Sequence, residues 1–267
     1  TLTLLPEVAL PPDLAAAIAA LTDAPEDTLA AVQDKRRALR EVTEGRAAHD
    51  LRVACDLWCA AFFASKAARP EMRGRDMVPT TDTVWRYLRA PSSVYGPLIG
   101  AVEELRGRQR FFHWPLEFPE AAAAGGFDCL LGNPPWERIK LQEKEFFDSR
   151  RQAIAQAPNA AARRKLIAAL KNGDTADRAL HRAFEDAKRD ADAAGQFARG
   201  SARFPLTAVG DVNVYALFAE AFVKLRRADG FAGVVLPSGI ATDDTTKAFF
   251  DFVATGNLLR SLLGMDE

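Results

Sequence analysis

The chain has 267 residues, 48% hydrophobic and 27% charged, with a net charge of −1. That balance excludes collagen-like, disordered and disulfide-scaffold classes, and the length suits one or two domains with a buried core. A near-neutral total exerts no general pull toward nucleic acid or membrane, so any site for a polyanion must be a local patch. Cys55, Cys59 and Cys129 form an odd, sparse set that makes no zinc pattern with three histidines. They read as reduced thiols of a cytoplasmic protein. No apolar run reaches the ~18 residues of a membrane span, and the opening residues do not read as a signal peptide. The first residue is Thr1, and the chain reads as a fragment or a processed form.

In chain order, Leu14, Ile18 and Leu21 recur at helical spacing, with Asp13 read as the N-cap behind Pro11-Pro12. Leu29–Thr43 reads as a charged helix. Asp50–Lys66 reads as a more apolar one carrying Trp58, Phe62 and Phe63, with Cys55 and Cys59 as core positions. Residues 69–82 form a polar loop marked by Pro70, Gly74 and Pro79. Val84–Arg106 is helical with breaks at Pro91 and Gly96-Pro97.

At residue 109 the texture changes to a short aromatic run, Phe111-Phe112-His113-Trp114, followed by a proline-bounded stretch to Pro119. Gly125-Gly126 introduces the apolar run Phe127–Leu131, which stops at Gly132-Asn133-Pro134-Pro135 and reads as a buried strand. Residues 140–203 return to helix, with interruptions at Asn172-Gly173 and Gly195. Val212–Arg227 is an amphipathic helix and Gly230–Leu236 a second buried strand. A helix over Thr245–Val253 and a last strand over Leu258–Leu263 complete the pattern. Apolar strands with helices between them imply an α/β fold with a parallel, doubly covered sheet. Charge is uneven: residues 137–203 hold fifteen Lys/Arg against ten Asp/Glu, and residues 1–60 hold six against ten. A solvated helix surface is the ordinary reading of such a segment.

The chemistry concentrates in Asn133-Pro134-Pro135-Trp136, at the carboxyl end of a predicted strand, where ligands bind in open α/β sheets. The Asn133 side chain offers an acceptor and a donor, and Pro134 has a carbonyl but no N–H. Each residue before a proline is pushed toward extended conformation, so the loop is stiff and its carbonyls point in fixed directions. Trp136 adds a flat apolar face. Together they suit a planar group bearing an NH₂, with Asn133 Oδ1 and the Pro134 carbonyl accepting its two protons and Trp136 stacking on its ring. An exocyclic amine is a poor nucleophile because its lone pair is delocalised; two acceptors draw the nitrogen toward tetrahedral geometry and aim that lone pair at an electrophilic methyl. No general base is needed before such a transfer.

Phe127-Asp128, followed at Leu131 by Gly132-Asn133-Pro134-Pro135-Trp136, resembles the catalytic motif of amino-group methyltransferases that use S-adenosylmethionine. More narrowly it resembles the TaqI-like N6-adenine DNA methyltransferases. The blocks "FHWPLEFPE" (112–120), "GGFDCLLGNPPWERIKLQEKEFF" (125–147), "GDVNVYALFAEAF" (210–222) and "GFAGVVLPSGIATDDTTKAFF" (230–250) resemble those of the large restriction-modification and phage-defence methylases, as does "ACDLWCAAFF" (54–63). The resemblance covers most of 50–267. It implies a partial doubly wound, mostly parallel methyltransferase sheet with a helical N-terminal segment (1–108) and a catalytic-motif part (109–267) that carries a helical insertion over 140–205.

The same resemblance implies a double-stranded DNA substrate, extrusion of the target base from the duplex, and nuclease, helicase or specificity parts as companions, with no membrane. Asn133 and Pro134 would hold the adenine amine, Pro135 would shape the loop and Trp136 would stack on the flipped base. The family binds S-adenosylmethionine mainly through an upstream Asp-Pro-x-x-Gly-x-Gly-type loop. Gly74, Gly96 and Gly100 do not supply it, and it is expected upstream of Thr1.

The basic insertion at 137–203 is the best candidate for DNA contact, and within it Arg138, Lys140 and Lys144 follow the tetrad directly and are candidates for phosphate contacts beside the flipped base. Several other residues have a structural reading that outweighs a chemical one. His113 reads as a hydrogen-bonded core histidine rather than a base. Asp243-Asp244 read as helix caps rather than metal ligands, and Asp186 with Lys188 as surface charges rather than a nuclease pair. Two further readings stand beside the DNA methylase: a methyltransferase of protein glutamine or RNA amines, whose acceptor is likewise a planar NH₂, and a catalytically silent DNA-binding or scaffold module.

Overall fold

The computed structural model describes residues 11–65 and 78–264. The predicted loop over 69–77 and the end of the third helix at Lys66 lie outside the described residues. The chain divides into two compact units. One comprises residues up to Asn133 together with Ala219–Val235; the other comprises Pro134–Phe218 together with residues from Leu236 onward.

The first unit is helical up to its sheet. Helix α1 (Pro12–Thr22) starts on Pro12, where a missing N–H costs nothing. Pro11 therefore occupies the cap position, and Asp13 stands in the first turn, complementing the helix dipole instead of capping as expected. Helix α2 (Leu29–Thr43) is capped by the Thr28 hydroxyl, which accepts from the Ala31 N–H at 3.1 Å. Helix α3 (Arg46–Phe63) begins four residues earlier than its apolar pattern suggested. Helix α4 (Thr81–Arg89) opens on a reciprocal capping box between Thr80 and Thr83. A 3-10 turn at Pro91–Ser93 and helix α5 (Gly96–Gln109) follow, so the predicted breaks fall where proline removes a donor. Two short helices, α6 (Trp114–Glu117) and α7 (Pro119–Ala123), each carry proline in the first turn. Leu14 and Ile18 of α1, Leu51 and Cys55 of α3 and Leu116 of α6 share one buried cluster.

The end of α7 sets the start of the sheet. Gly126 N–H donates to Ala121 O at 2.8 Å and Gly125 N–H to Ala122 O at 3.2 Å, the paired bonds of a Schellman cap. Both glycines have positive φ, +81° and +131°. Strand β1 (Phe127–Gly132) leaves from this cap and pairs in parallel with β2 (Arg226–Val234), from Cys129 opposite Phe231 to Gly132 opposite Val234. Val235 N–H extends the ladder to Gly132 O at 3.0 Å. Arg227 of β2 ion-pairs with Asp128 of β1 at 2.5 Å and with Asp229 at 2.6 Å. Its hydrogen bond holds the Asp229 carboxyl below the usual carboxylate range.

Among the described residues the sheet has two parallel strands in a mostly helical α/β fold, and a doubly wound arrangement is not shown. One expectation is corrected: the strands are not both buried, since Leu131 is 78% and Phe231 57% exposed. An apolar run reads as buried because parallel sheets are normally covered on both faces. Here each strand has a single ladder neighbour, and these side chains stand uncovered.

In the second unit, helices α8 (Glu143–Asp148), α9 (Gln152–Ala155), α10 (Ala160–Leu170) and α11 (Thr175–Gly200) enclose Phe147, Ile154, Ile167, Leu170 and Phe184. Asn159 caps α10 and Asp174 caps α11, each accepting a backbone N–H at 2.8 Å. The chain breaks at Asn172-Gly173 as expected. It does not break at Gly195, which is buried inside α11; a Cβ there would lie 3.1 Å from the Arg199 guanidinium. The helix thus continues through this glycine, whose ~1 kcal/mol cost is small against the 26-residue helix around it.

Helix α12 (Val214–Leu225) leads into β2, and α13 (Gly239–Thr242) and α14 (Lys247–Thr255) follow it. Asp243 and Asp244 do not cap α14, which starts after Thr246 without a side-chain cap bond. The last predicted strand is absent: residues 258–264 are irregular and exposed. The N–H groups of Leu258 and Leu259 turn back onto Val253 O at 3.0 Å, so they end a helix where a strand would need a ladder partner.

At Gly126 a Cβ would lie 2.5 Å from the Arg227 backbone N, whereas at Gly125 nothing lies within 4 Å. Gly126→Ala is therefore expected to cost about 1–3 kcal/mol in urea unfolding, and Gly125→Ala distinctly less. Equal losses would show that the close approach of β2 plays no part.

Candidate functional site

The tetrad leaves the carboxyl end of β1. Gly132 precedes it because the Phe222 ring of α12 lies where a Cβ would be, 3.0 Å away. Asn133 is exposed, and its carboxamide makes no hydrogen bond among the described residues. Pro134 is buried, Pro135 is exposed, and Trp136 is 56% exposed. The sequence thus yields an anchored proline between a free amide and a free indole face.

Immediately downstream the chain is pinned. Val214 N–H donates to Glu137 O at 2.8 Å and Ile139 N–H to Val212 O at 3.0 Å, framing an antiparallel bridge between Arg138 and Asn213. Arg138 also donates to Asp211 Oδ2 at 2.9 Å. Asp211-Val212-Asn213-Val214-Tyr215 is therefore the segment that holds the tetrad's downstream side. Sequence reasoning placed these residues only at the start of a helix. Their position just after the long insertion was the available signal. Tyr215 is buried, and its phenol is pushed upward by that burial and by the Asp243 charge, against an opposing effect of Arg138.

Of the three predicted phosphate contacts, Arg138 already shares its charge with Asp211. Lys140 and Lys144 are exposed and have no ion pair among the described residues. Such an exposed pair contributes little to stability, about 0–1 kcal/mol, and an incoming phosphate can compete for Arg138.

His113 is a buried core histidine, joined through Nε2 to Asp56 Oδ1 at 2.7 Å. Arg106 Nε stands 3.4 Å from the other Asp56 oxygen. Asp56 belongs to the block at 54–63 and His113 to that at 112–120, so one buried polar contact ties two sequence blocks together. Asp56 was not singled out from sequence; a lone acid in an apolar helix was its signal. From the same second block, Trp114 stacks on Phe118 with ring centroids 5.6 Å apart, and Phe118 meets the edge of Phe127 at the start of β1. These blocks therefore serve as scaffold beneath the strand that presents the tetrad.

The remaining candidates fall to structural roles. Asp186 pairs with Arg189 on the surface of α11, away from any strand. No group of three metal-ligating side chains occurs among the described residues. Residues for S-adenosylmethionine do not fit either: no described strand precedes β1, and Gly96 and Gly100 lie inside α5. Gly74 is outside the described residues. A strand–glycine loop–helix is thus not built by the residues described.

Residues 65–167 match the family model of the Eco57I restriction-modification methylases. The matched stretch is less than half of the chain and contains the tetrad, and it supports a methylase of the restriction-modification kind. No curated protein and no solved structure matches the chain. No helix among the described residues is long and apolar enough to cross a membrane.

Asp56→Ala leaves the buried His113 ring without its hydrogen-bond acceptor, and a loss of about 1–3 kcal/mol is expected in urea unfolding. A loss below 1 kcal/mol would remove this contact from the scaffold. Trp136→Ala, at an exposed position, is expected to change stability by no more than about 0.5 kcal/mol.

Proposed function

We propose that the chain is the target-holding part of an S-adenosylmethionine-dependent methylase of the adenine N6 amine in double-stranded DNA, acting in restriction-modification or phage defence. The observation that carries this reading is the Asn133-Pro134-Pro135-Trp136 loop at the end of a parallel strand, with an uncommitted amide and an exposed indole, inside the stretch that matches the methylase family. A cytoplasmic location, and nuclease, helicase or specificity parts as companions, belong to the same proposal.

In this reading the flipped adenine stacks on Trp136, and its N6 protons are accepted by Asn133 Oδ1 and the Pro134 carbonyl. Two acceptors raise electron density on nitrogen and fix its lone pair in one direction. The fixed dipoles then favour the positive charge that develops there on alkylation, and the proton leaves after transfer. The proline pair limits the reorganisation needed, because Pro134 is already buried. Pro135 holds the turn and Arg138, Lys140 and Lys144 neutralise phosphates beside the extruded nucleotide. The methyl donor's own pocket is not assigned to any described residue, and no step is derived through it.

The test is transfer of labelled methyl to duplex DNA by the native protein carrying this chain, beside Asn133→Ala, with digestion to nucleosides. Label is expected in N6-methyl-deoxyadenosine and should fall by about 10²-fold or more in the variant. Trp136→Ala should weaken binding of duplex DNA by roughly 5- to 150-fold, the value of one base stack. Unchanged transfer in Asn133→Ala would overturn the tetrad's role. A protein that binds the donor but labels RNA or protein glutamine would overturn the substrate. A protein that binds DNA but never the donor would favour the scaffold reading.

A further inference from the structure

We infer that the outward face of the α10–α11 hairpin is a second DNA contact, a sequence-independent clamp on duplex phosphates separate from the residues that follow the tetrad. The inference rests on the reading of the chain as a DNA methylase. Residues 160–189 hold eight Lys/Arg and four Asp/Glu. The imbalance is concentrated toward the turn, where residues 160–184 hold six Lys/Arg and two Asp/Glu. Asp174 caps α11, Asp177 is paired with Arg151, and Asp186 is paired with Arg189. Glu185, and Asp192 further along α11, stay exposed and uncommitted. Among the cations, Arg163 is spent on Glu143 at 2.8 Å. Arg164, Lys165, Lys171, Arg182 and Lys188 are all exposed, and their side chains have no partner among the described residues.

The positions of these charges follow from helix geometry. On α11, Arg178 and Arg182 lie at i and i+4 of one face, with Arg189, already paired with Asp186, at i+11. That face is opposite the one on which Leu180 and Phe184 meet the core. On α10, Ile167 and Leu170 face the same core, and Arg164 and Lys165 lie on the far side with Ala161 and Ala168. The turn between the helices is tied by Arg178, which donates to Gly173 O at 2.6 Å, and Gly173 leaves room for the Asp177 side chain. Cations are therefore presented by a preordered hairpin, at low entropic cost on binding.

The surroundings favour a polyanion over a protein partner. Interface cores are enriched in aromatic residues and methionine. Here the turn end of the hairpin is arginine, lysine and alanine, with Glu185, Asp186 and Asp192 farther along α11 and Leu166 as the exposed large apolar residue of the pair. Alanines beside arginines let a backbone of phosphates approach closely. Nothing on this face reads base edges, so its contribution is positioning and salt-dependent affinity.

The test uses the full chain and a fluorescent duplex of mixed sequence, with affinity measured from 50 to 200 mM salt. Arg164→Gln, Lys165→Gln and Arg182→Gln together are compared with Arg36→Gln, Arg37→Gln and Arg40→Gln on α2, an equal change of charge at a different exposed helix. The hairpin variant is expected to shallow the plot of log affinity against log salt by about 0.9 per lost contact, up to about 2.7, while the α2 variant leaves it unchanged. Equal shallowing in both variants, or none in the hairpin variant, would overturn the clamp, as would a wild-type chain that does not bind duplex DNA. Circular dichroism of both variants confirms that the helices persist. Loss of methyl transfer with the salt response intact would count against the proposed reaction alone and leave the clamp standing.

Discussion

The parallel pairing of β1 with β2 is the constraint on which the site depends. Two parallel strands cannot be joined by a tight turn, so the chain between Asn133 and Leu225 must cross over before it returns. That crossover carries α8 to α12, and the ladder brings the carboxyl ends of both strands side by side. The tetrad follows directly from one of those ends. The last carbonyl of β1, Gly132 O, is occupied by Val235 N–H.

Around this pairing the first unit supplies supports of three kinds. The two glycines of the α7 cap set where β1 begins and allow β2 to pass close by. The aromatic rings of Trp114, Phe118 and Phe127 fix that start against the preceding block. The buried Asp56–His113 contact fastens the block to α3. Each is a local interaction of ordinary strength, and each acts on the placement of one strand. The second unit contributes differently: its hairpin core around Phe147 and Phe184 is closed in itself, which frees the outward faces of α10 and α11 to carry charge.

Much of this was legible in the sequence where local chemistry decides. Proline and glycine placed the breaks at Pro91, Gly96 and Asn172-Gly173, and helix α2 occupies the predicted residues. The strand Phe127–Gly132 and its terminal tetrad were recognisable because a short apolar run between glycines has few other conformations. Asp13 misled because a strong capping residue beside a proline yields to the proline's fixed φ. Gly195 misled because a single glycine costs a helix only ~1 kcal/mol, too little to end one as long as α11.

Sequence alone determined most helix positions, the strand Phe127–Gly132 and which stretch is basic, since these follow from side-chain type and near-neighbour spacing. Tertiary structure alone decided which charges stay free. Arg138 is committed to Asp211 across 73 positions, and Asp56 meets His113 across 57. It also decided that Leu258–Leu263 forms no strand and that Leu131 and Phe231 stand uncovered. The physical reason is the same in each case: a strand needs a ladder neighbour and a charge needs a counter-charge, and both partners come from distant parts of the chain.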